Sequence, residues 1–274
     1  MHLFKIRAVK LYDEHPQQEH YRLHVHNAYE IFCFLSGDAM YNVEGNLYPL
    51  LPGDILLLKD NESHNLILNS DIPYERITVH FQCDDGISEK LSKILLTPVL
   101  DRPIGQFNLY SCKEFSRTQW RYYLECICKA PDPIRQQIYL MTLLQEISEV
   151  FPRIKEQSAP DSVDRILQIT HYIDRHLAEP LSIQRICNRF YISQAQLTRQ
   201  FKKSLATTVG AYVLTKRLLL AHNLIQKGTK PTAAYLQCGF RDYSVFYRAY
   251  KKKFGRSPTD NRTDPVHLEK IELT

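Results

Sequence analysis

Residues 239–255 read GFRDYSVFYRAYKKKFG. Asp242 is suited to cap a helix here, because its carboxylate can accept from the first free N–H groups, and Gly255 is suited to end it. Three aromatic side chains recur at i, i+4 and i+8, and so form one packing face: Phe246, Tyr250 and Phe254. The stretch therefore predicts a capped helix that is buried along one side.

The other side of this predicted helix is cationic. It carries Arg248 and the run Lys251, Lys252 and Lys253. A helix that is buried on one face and positively charged on the other has the form of an element that lies in a groove of DNA.

The pattern GF-x-D-x-S-x-F-x-R-x-(Y/F)-K-K-x-FG, followed by Ser257-Pro258, resembles the second helix-turn-helix of the AraC family of bacterial transcription regulators. Ser193 precedes QAQLTRQFKKSL, which reads as the recognition helix of a first such unit. A long predicted helix at Val209–Gln226 connects the two units through Pro231–Gln237, the lead-in to the second motif. The resemblance implies a double helix-turn-helix DNA-binding domain over residues 162–262 and a carboxyl-terminal tail over residues 263–274.

Leu197, Phe201 and Leu205 recur at i, i+4 and i+8, so the rest of the first recognition helix points outward. The residues predicted to contact DNA are Gln194, Ala195, Thr198, Arg199 and Lys202 in that helix, and Tyr243, Ser244, Tyr247, Arg248, Lys251 and Lys252 in the second. Arginine can pair bidentately with guanine, whereas lysine more often contacts phosphate. Two such helices on one connector would enter successive major grooves, about 34 Å apart.

The charge distribution agrees with DNA binding. The chain has 274 residues and a formal net charge of +5, but residues 1–160 hold 16 Lys and Arg against 21 Asp and Glu, while residues 161–274 hold 19 against 9. Seven cysteines without a C-x-x-C pair predict a reducing compartment, hence a cytoplasmic protein. No run approaches 18 apolar residues, so no membrane span is expected.

Short alternating runs punctuated by Gly, Pro, Asn and Asp predict a small β-barrel or sandwich between residues 3 and 81. Within it, His24-x-His26-x3-Glu30-x6-Gly37 resembles the first motif of cupins, and His64 keeps the histidine of their second motif, although Lys59 and Asn61 replace its proline and glycine. The resemblance implies a cupin-like barrel in which His24, His26, Glu30 and His64 converge. These four residues are predicted to bind a small ligand, and the alternative is that they bind a divalent metal ion.

The predicted ligand is small and polar, such as a sugar. Imidazole and carboxylate groups would supply its hydrogen bonds, and aromatic side chains would flank it: Tyr29, Phe32, Phe34 and Tyr41. Alternation along a strand leaves open whether Tyr29 or Phe32 faces the interior.

Helical periodicity follows at residues 87–96, 115–129 and 133–151, and the resemblance implies that such helices also make a dimer interface. The predicted architecture is α+β with two domains: a cupin-like sensing and dimerisation domain at 1–151 and the DNA-binding domain, joined by a polar linker at 152–161 (PRIKEQSAPD).

Two classes of function compete. One is a transcription regulator that responds to a small effector; the other is a metal-binding cupin enzyme, or a metal-responsive regulator, with a DNA-binding tail. An enzyme has no need of two helix-turn-helix units, and no nucleophile set in a known motif context is present. The sequence thus predicts a non-enzymatic regulator without a required cofactor. Its expected partners are double-stranded DNA, an effector, a second copy of the chain and, if it activates, RNA polymerase.

Overall fold

The structure is a computed structural model, and it describes residues 3–60, 62–83, 87–115, 119–157, 165–205, 207–260 and 271–272. By their internal contacts they form two compact units. The first is drawn from residues 1–21, 28–43 and 47–162, and the second from residues 22–27, 44–46 and 163–274. The predicted α+β architecture, with a β-rich amino-terminal half and a helical carboxyl-terminal half, is confirmed.

The described residues form ten strands. The strands are β1 (Phe4–Asp13), β2 (His24–Val25), β3 (Tyr29–Ser36), β4 (Ala39–Val43), β5 (Asn46–Pro49), β6 (Ile55–Leu58), β7 (His64–Leu68), β8 (Tyr74–Cys83), β9 (Leu109–Tyr110) and β10 (Ile271–Glu272). In the first unit, one sheet has the strand order β1-β8-β3-β6-β9, and β4 pairs with β7 in another. In the second unit, β10 pairs with β2. The pairing of β3 with β8 sets Glu30 directly opposite His80.

The first sheet is covered on both faces. Ile31 and Cys33 of β3 belong to a core shared with three helices, α1 (Glu89–Leu100), α2 (Trp120–Lys129) and α3 (Pro133–Gln157). Phe32 and Phe34 point the other way and pack with side chains of β4 and β7. Successive residues of a strand face opposite sides, so one apolar strand serves both cores.

The predicted linker at residues 152–161 begins too early. Helix α3 continues through Pro152 to Gln157, because Phe151 and Ile154 are buried in the core on either side of the proline and hold the helix in place. Residues 158–161 lie outside the described residues. So does the predicted tail, except for Ile271 and Glu272, which pair with β2.

The helices of the second unit surround one core. They are α4 (Arg165–Arg175), α5 (Ile183–Phe190), α6 (Gln194–Leu205), α7 (Val209–Gln226), α8 (Pro231–Gln237) and α9 (Tyr243–Phe254). Side chains predicted to face inward are buried: Leu197, Phe201, Leu205, Phe246, Tyr250 and Phe254. In the part of the chain that the structure describes, no helix combines the length and the apolarity needed to cross a membrane.

A buried charge cluster lies on α7 of the second unit. Lys216 Nζ lies 2.8 Å from Glu44 Oε1 and 3.3 Å from Asp174 Oδ2, and its side chain is 3% exposed. Burial lowers the pKa of Lys216, but the carboxylates of Asp174 and Glu44 more than offset this and raise it above its ordinary value. Lys216 is therefore a structural cation, which sets it apart from the exposed cations of this unit.

A second buried ion pair supports the loop that precedes β7 in the first unit. Arg102 donates from Nη1 and Nη2 to the two carboxylate oxygens of Glu62, at 2.6 and 2.8 Å. The backbone N–H groups of Gly105 and Lys59 donate to the same carboxylate at 2.7 and 2.6 Å. The pair thereby fixes the chain two residues before His64.

Candidate functional site

Helix α9 is built as its sequence predicts. The side chain of Asp242 accepts from the N–H of Val245 at 2.8 Å, and the helix ends where Gly255 adopts a left-handed conformation with φ of 69°. The aromatic stripe of Phe246, Tyr250 and Phe254 is buried. Four of the residues predicted to contact DNA are exposed on the outer side: Ser244, Arg248, Lys251 and Lys252.

Helix α6 has the same construction. Ser193 Oγ accepts from the N–H of Gln196 at 3.2 Å, and Gln196 Oε1 accepts from the N–H of Ser193 at 3.1 Å, which is a capping box. The five residues predicted to contact DNA are all exposed: Gln194, Ala195, Thr198, Arg199 and Lys202. Both helices have 12 residues, so Gln194 corresponds to Tyr243 and Arg199 to Arg248.

Tyr243 and Tyr247 are less exposed than the other predicted contact residues. Both are half-buried, because the ring of Tyr243 lies 5.3 Å from that of Tyr235 and 6.3 Å from that of Tyr247. Their inner edges thus pack within the second unit. Contact of this pair, or of any of these residues, with DNA stays a prediction.

The outward cations of α6 and α9 are not neutralised internally. Among the described residues, no carboxylate forms an ion pair with Arg199, Lys202, Arg248, Lys251 or Lys252. Other basic side chains of the unit do have partners: Arg185 pairs with Glu179 at 2.7 Å, and Arg217 donates to the carbonyl oxygen of Leu177 at 2.8 Å. These five cations of the two predicted recognition helices are therefore available to a polyanion.

A buried polar cluster lies inside the first unit. Glu30 Oε2 lies 3.2 Å from His80 Nε2 and 3.4 Å from His64 Nε2, and the three side chains are at most 8% exposed. Glu30 and His80 come from β3 and β8, and His64 comes from β7 in the other sheet. The cluster thus places one carboxylate between two imidazoles in an apolar interior.

Backbone contacts determine which nitrogen of His64 faces Glu30. His64 Nδ1 lies 2.8 Å from the carbonyl oxygen of Glu62; a carbonyl only accepts, so Nδ1 carries the hydrogen. A neutral His64 then turns the lone pair of Nε2 toward Glu30. That arrangement is attractive only when a proton, a metal ion or a donor group of a ligand lies between the two side chains. Nδ1 of His24 also lies close to a carbonyl oxygen, that of Arg22 at 2.9 Å, so it too carries the hydrogen.

Of the four predicted ligand-binding residues, Glu30 and His64 lie in the first unit and meet in this cluster. His24 and His26 belong to the second unit, where their rings lie 6.1 Å apart. His80 is an addition that the motif did not reveal. Only its place opposite Glu30 brings it into the cluster, and β3 and β8 are about 45 residues apart along the chain.

Aromatic side chains line this interior selectively. Phe32 and Tyr41 pack with a ring separation of 4.4 Å, and Tyr41 stacks on His64 at 6.0 Å. Tyr29 instead packs on Phe81, on the face of the sheet that belongs to the helix-covered core, so Phe32 and not Tyr29 faces inward. Burial, and next the charge of Glu30, raise the pKa of Tyr41 well above its ordinary value, which keeps its hydroxyl neutral.

Comparison with known proteins identifies both halves of the chain. Residues 8–93 match the family of AraC-like ligand binding domains, and residues 186–264 match a helix-turn-helix domain family. The chain is 23% identical over 263 residues to the HTH-type transcriptional activator RhaS of Yersinia pseudotuberculosis serotype I (strain IP32953). This alignment covers 88% of each chain. It is 37% identical over 92 residues to the probable transcriptional regulator LumQ of Photobacterium leiognathi, covering 33% of this chain and 37% of LumQ.

Among solved structures, ToxT from Vibrio cholerae O395, bound to (E)-4-(8-methylnaphthalen-1-yl)but-3-enoic acid, aligns over 94% of this chain and 97% of its own, with 16% identity and a TM-score of 0.42. The matched domains define a transcription regulator that joins a ligand-binding domain to a DNA-binding helix-turn-helix domain. The chain belongs to the AraC family.

Proposed function

We propose that this regulator binds double-stranded DNA sequence-specifically through α6 and α9, and that a small polar effector bound at Glu30, His64 and His80 controls it. The observation that carries the DNA part is the matched pair of capped helices, each with an outward row of cations that no carboxylate of the described residues neutralises. Such cations bind phosphates and release counterions, so affinity should fall as salt rises.

The chemistry of the cluster supports a sugar-like effector. Carboxylate and imidazole groups can exchange hydrogen bonds with hydroxyl groups, while the rings of Phe32 and Tyr41 offer apolar faces. Arg76 adds a cation near the same interior, 5.2 Å from the ring centre of Tyr74. We include His24 and His26 in this site, as the motif predicts.

A divalent metal ion is the second candidate effector. Metal-binding histidines usually donate their other ring N–H to a backbone carbonyl or a carboxylate, and both His24 and His64 do so to carbonyls. Glu30, His64 and His80 supply nitrogen and oxygen donors of the kind that Zn²⁺ and similar ions prefer, and the motif adds His24 and His26 as candidate ligands. On this reading the protein is a metal-responsive regulator.

We further propose that the protein acts in the cytoplasm as a homodimer, without enzymatic activity, and that RNA polymerase is a partner if it activates transcription. Helix α3 supports the dimer, because Ile134 and Ile138 lie one turn apart and are 65% and 55% exposed, and Tyr122 of α2 is 53% exposed. An exposed row of large apolar side chains is suited to an isologous contact between two copies.

Arg248→Ala is expected to weaken binding to a selected operator more than Lys252→Ala does. An arginine that pairs with guanine contributes about 1–3 kcal/mol of discrimination, whereas a lysine on phosphate strengthens binding to all sequences alike. Lys252 is the matched control, because it is exposed on the same helix one turn later. Binding titrations on operator and on random duplexes, over a range of salt concentrations, measure both the sequence discrimination and the sequence-independent affinity. Equal losses on both duplexes for both variants would contradict the assignment of Arg248, and wild-type affinity independent of salt would contradict DNA binding by these cations.

Glu30→Gln is expected to weaken effector binding by roughly 10- to 100-fold, because hydrogen bonds to a charged group contribute about 1.5–3 kcal/mol. The change keeps the size of the side chain and removes its charge. Glu75→Gln is the control, since Glu75 lies on β8 but pairs with Lys10 at 3.0 Å outside the cluster. Calorimetry with a panel of sugars and elemental analysis of the purified proteins distinguish the two candidates. If the wild type and Glu75→Gln carry near-stoichiometric metal and Glu30→Gln does not, the effector is a metal ion and not a sugar. If Glu30→Gln binds a sugar with unchanged affinity, Glu30 is not part of the effector site.

A further inference from the structure

Val245 interrupts the polar outer face of α9. It lies at i−3 from Arg248 and i−7 from Lys252, so the three side chains follow one another along the face opposite the buried aromatic stripe. Val245 is 48% exposed, and its N–H is fixed by the 2.8 Å bond to Asp242. An apolar, β-branched side chain is thus held in the first turn of the helix, at the start of the row of predicted DNA contacts.

The corresponding residue of α6 has a side chain that stabilises the start of its helix. Gln196 occupies the same third position, and its side chain closes the capping box with Ser193. The side chain of valine has no oxygen that could accept a hydrogen bond from the N–H of the cap residue, and valine is a weaker helix former than glutamine. The valine at position 245 therefore does not serve to stabilise the start of α9.

The DNA major groove offers one apolar group to such a side chain. Among the four bases only thymine presents a methyl group there, and small apolar side chains recognise it by contact. The amino-terminal residues of a recognition helix are those that reach base edges. We infer that Val245 is a specificity-determining residue of α9 that reads the C5-methyl group of one thymine, next to the base contacted by Arg248. This inference rests on the proposed DNA binding and deepens it.

The test replaces each thymine of a selected operator, one at a time, by deoxyuridine, which lacks only the methyl group. At one position per subunit we expect the wild-type full-length protein to bind roughly fourfold more weakly, the effect of one buried methyl-sized contact. Val245→Ala should bind the unmodified operator more weakly by a similar factor and should be indifferent to deoxyuridine at that position. Its response to every other deoxyuridine should match that of the wild type.

Two further variants separate recognition from folding. Val245→Gln restores the capping-box pattern of α6, so its melting temperature should not fall, yet it should lose the response to the thymine methyl. Leu236→Ala is the control, since it removes an apolar side chain that is 57% exposed on α8, and it should bind as the wild type does. A deoxyuridine profile of Val245→Ala identical to that of the wild type, or a wild type insensitive at every thymine, overturns the inference. Failure of the wild type to bind any duplex would instead overturn the proposed function.

Discussion

Gly239→Ala is expected to destabilise the second unit by about 2–4 kcal/mol, through strain and overlap together. Gly239 has φ of +81°, a conformation that alanine rarely adopts. A Cβ atom there would overlap the carbonyl oxygen of Leu177 and would lie 3.0 Å from the carbonyl carbon of Ala178. Both are backbone atoms, so neither can be relieved by a change of rotamer. The substitution must displace the turn that leads into α9.

The chain provides a matched control for this prediction in Gly255→Ala. Gly255 also has a positive φ, of +69°, but no atom lies within 4 Å of the position of its Cβ. This variant should lose only the conformational term, about 1 kcal/mol. Thermal and urea unfolding of the full-length proteins measure the difference. Equal destabilisation by the two substitutions would show that overlap with Leu177 contributes nothing.

Arg102→Met is expected to lower the free energy of unfolding by about 3–5 kcal/mol, because it leaves the buried carboxylate of Glu62 without its counter-charge. Arg102 and Glu62 side chains are both 0% exposed. Lys93→Met is the control: Lys93 pairs with Glu89 at 2.7 Å, but the two side chains are 74% and 83% exposed, and water already screens them. A loss for Arg102→Met no larger than that for Lys93→Met would refute the prediction.

The same pair predicts how acid acts on the first unit. Burial raises the pKa of Glu62. The charge and hydrogen bonds of Arg102, with the N–H groups of Gly105 and Lys59, lower that pKa by more than burial raises it, so it falls from an ordinary value of 4.5 to about 2. A carboxyl group whose pKa is depressed by folding stabilises the protein fully above its unfolded pKa. That contribution should decline as the pH falls from about 4.5 to 2, and the decline should be smaller in Arg102→Met. Urea unfolding at a series of pH values measures it.

This ion pair also bears on the effector site. The carbonyl oxygen of Glu62 accepts a hydrogen bond from the N–H at Nδ1 of His64, so the loop held by Arg102 sets which nitrogen of His64 faces Glu30. Arg102 acts on the site only through position. Any loss of effector binding in Arg102→Met should therefore accompany its loss of stability.

Local sequence determined the helical half of the protein. The caps at Ser193 and Asp242 and the buried i, i+4, i+8 stripes lie within single helices, and α7 (Val209–Gln226) has the predicted bounds. Such signals act between neighbours in the chain and are legible without tertiary structure. They also predicted the exposure of Arg199 and Arg248.

Only the tertiary structure decided the composition of the polar cluster. His80 joins Glu30 through the register of two strands, and Arg102 finds Glu62 across 40 residues of chain. Tertiary packing likewise overrode the local signal of Pro152, because burial of Phe151 and Ile154 keeps α3 helical to Gln157. The local motif around His24 and His26 led to the prediction that Glu30 is a site residue. Which side chains complete that site depends on strand register and packing between distant segments, and no local pattern encodes these.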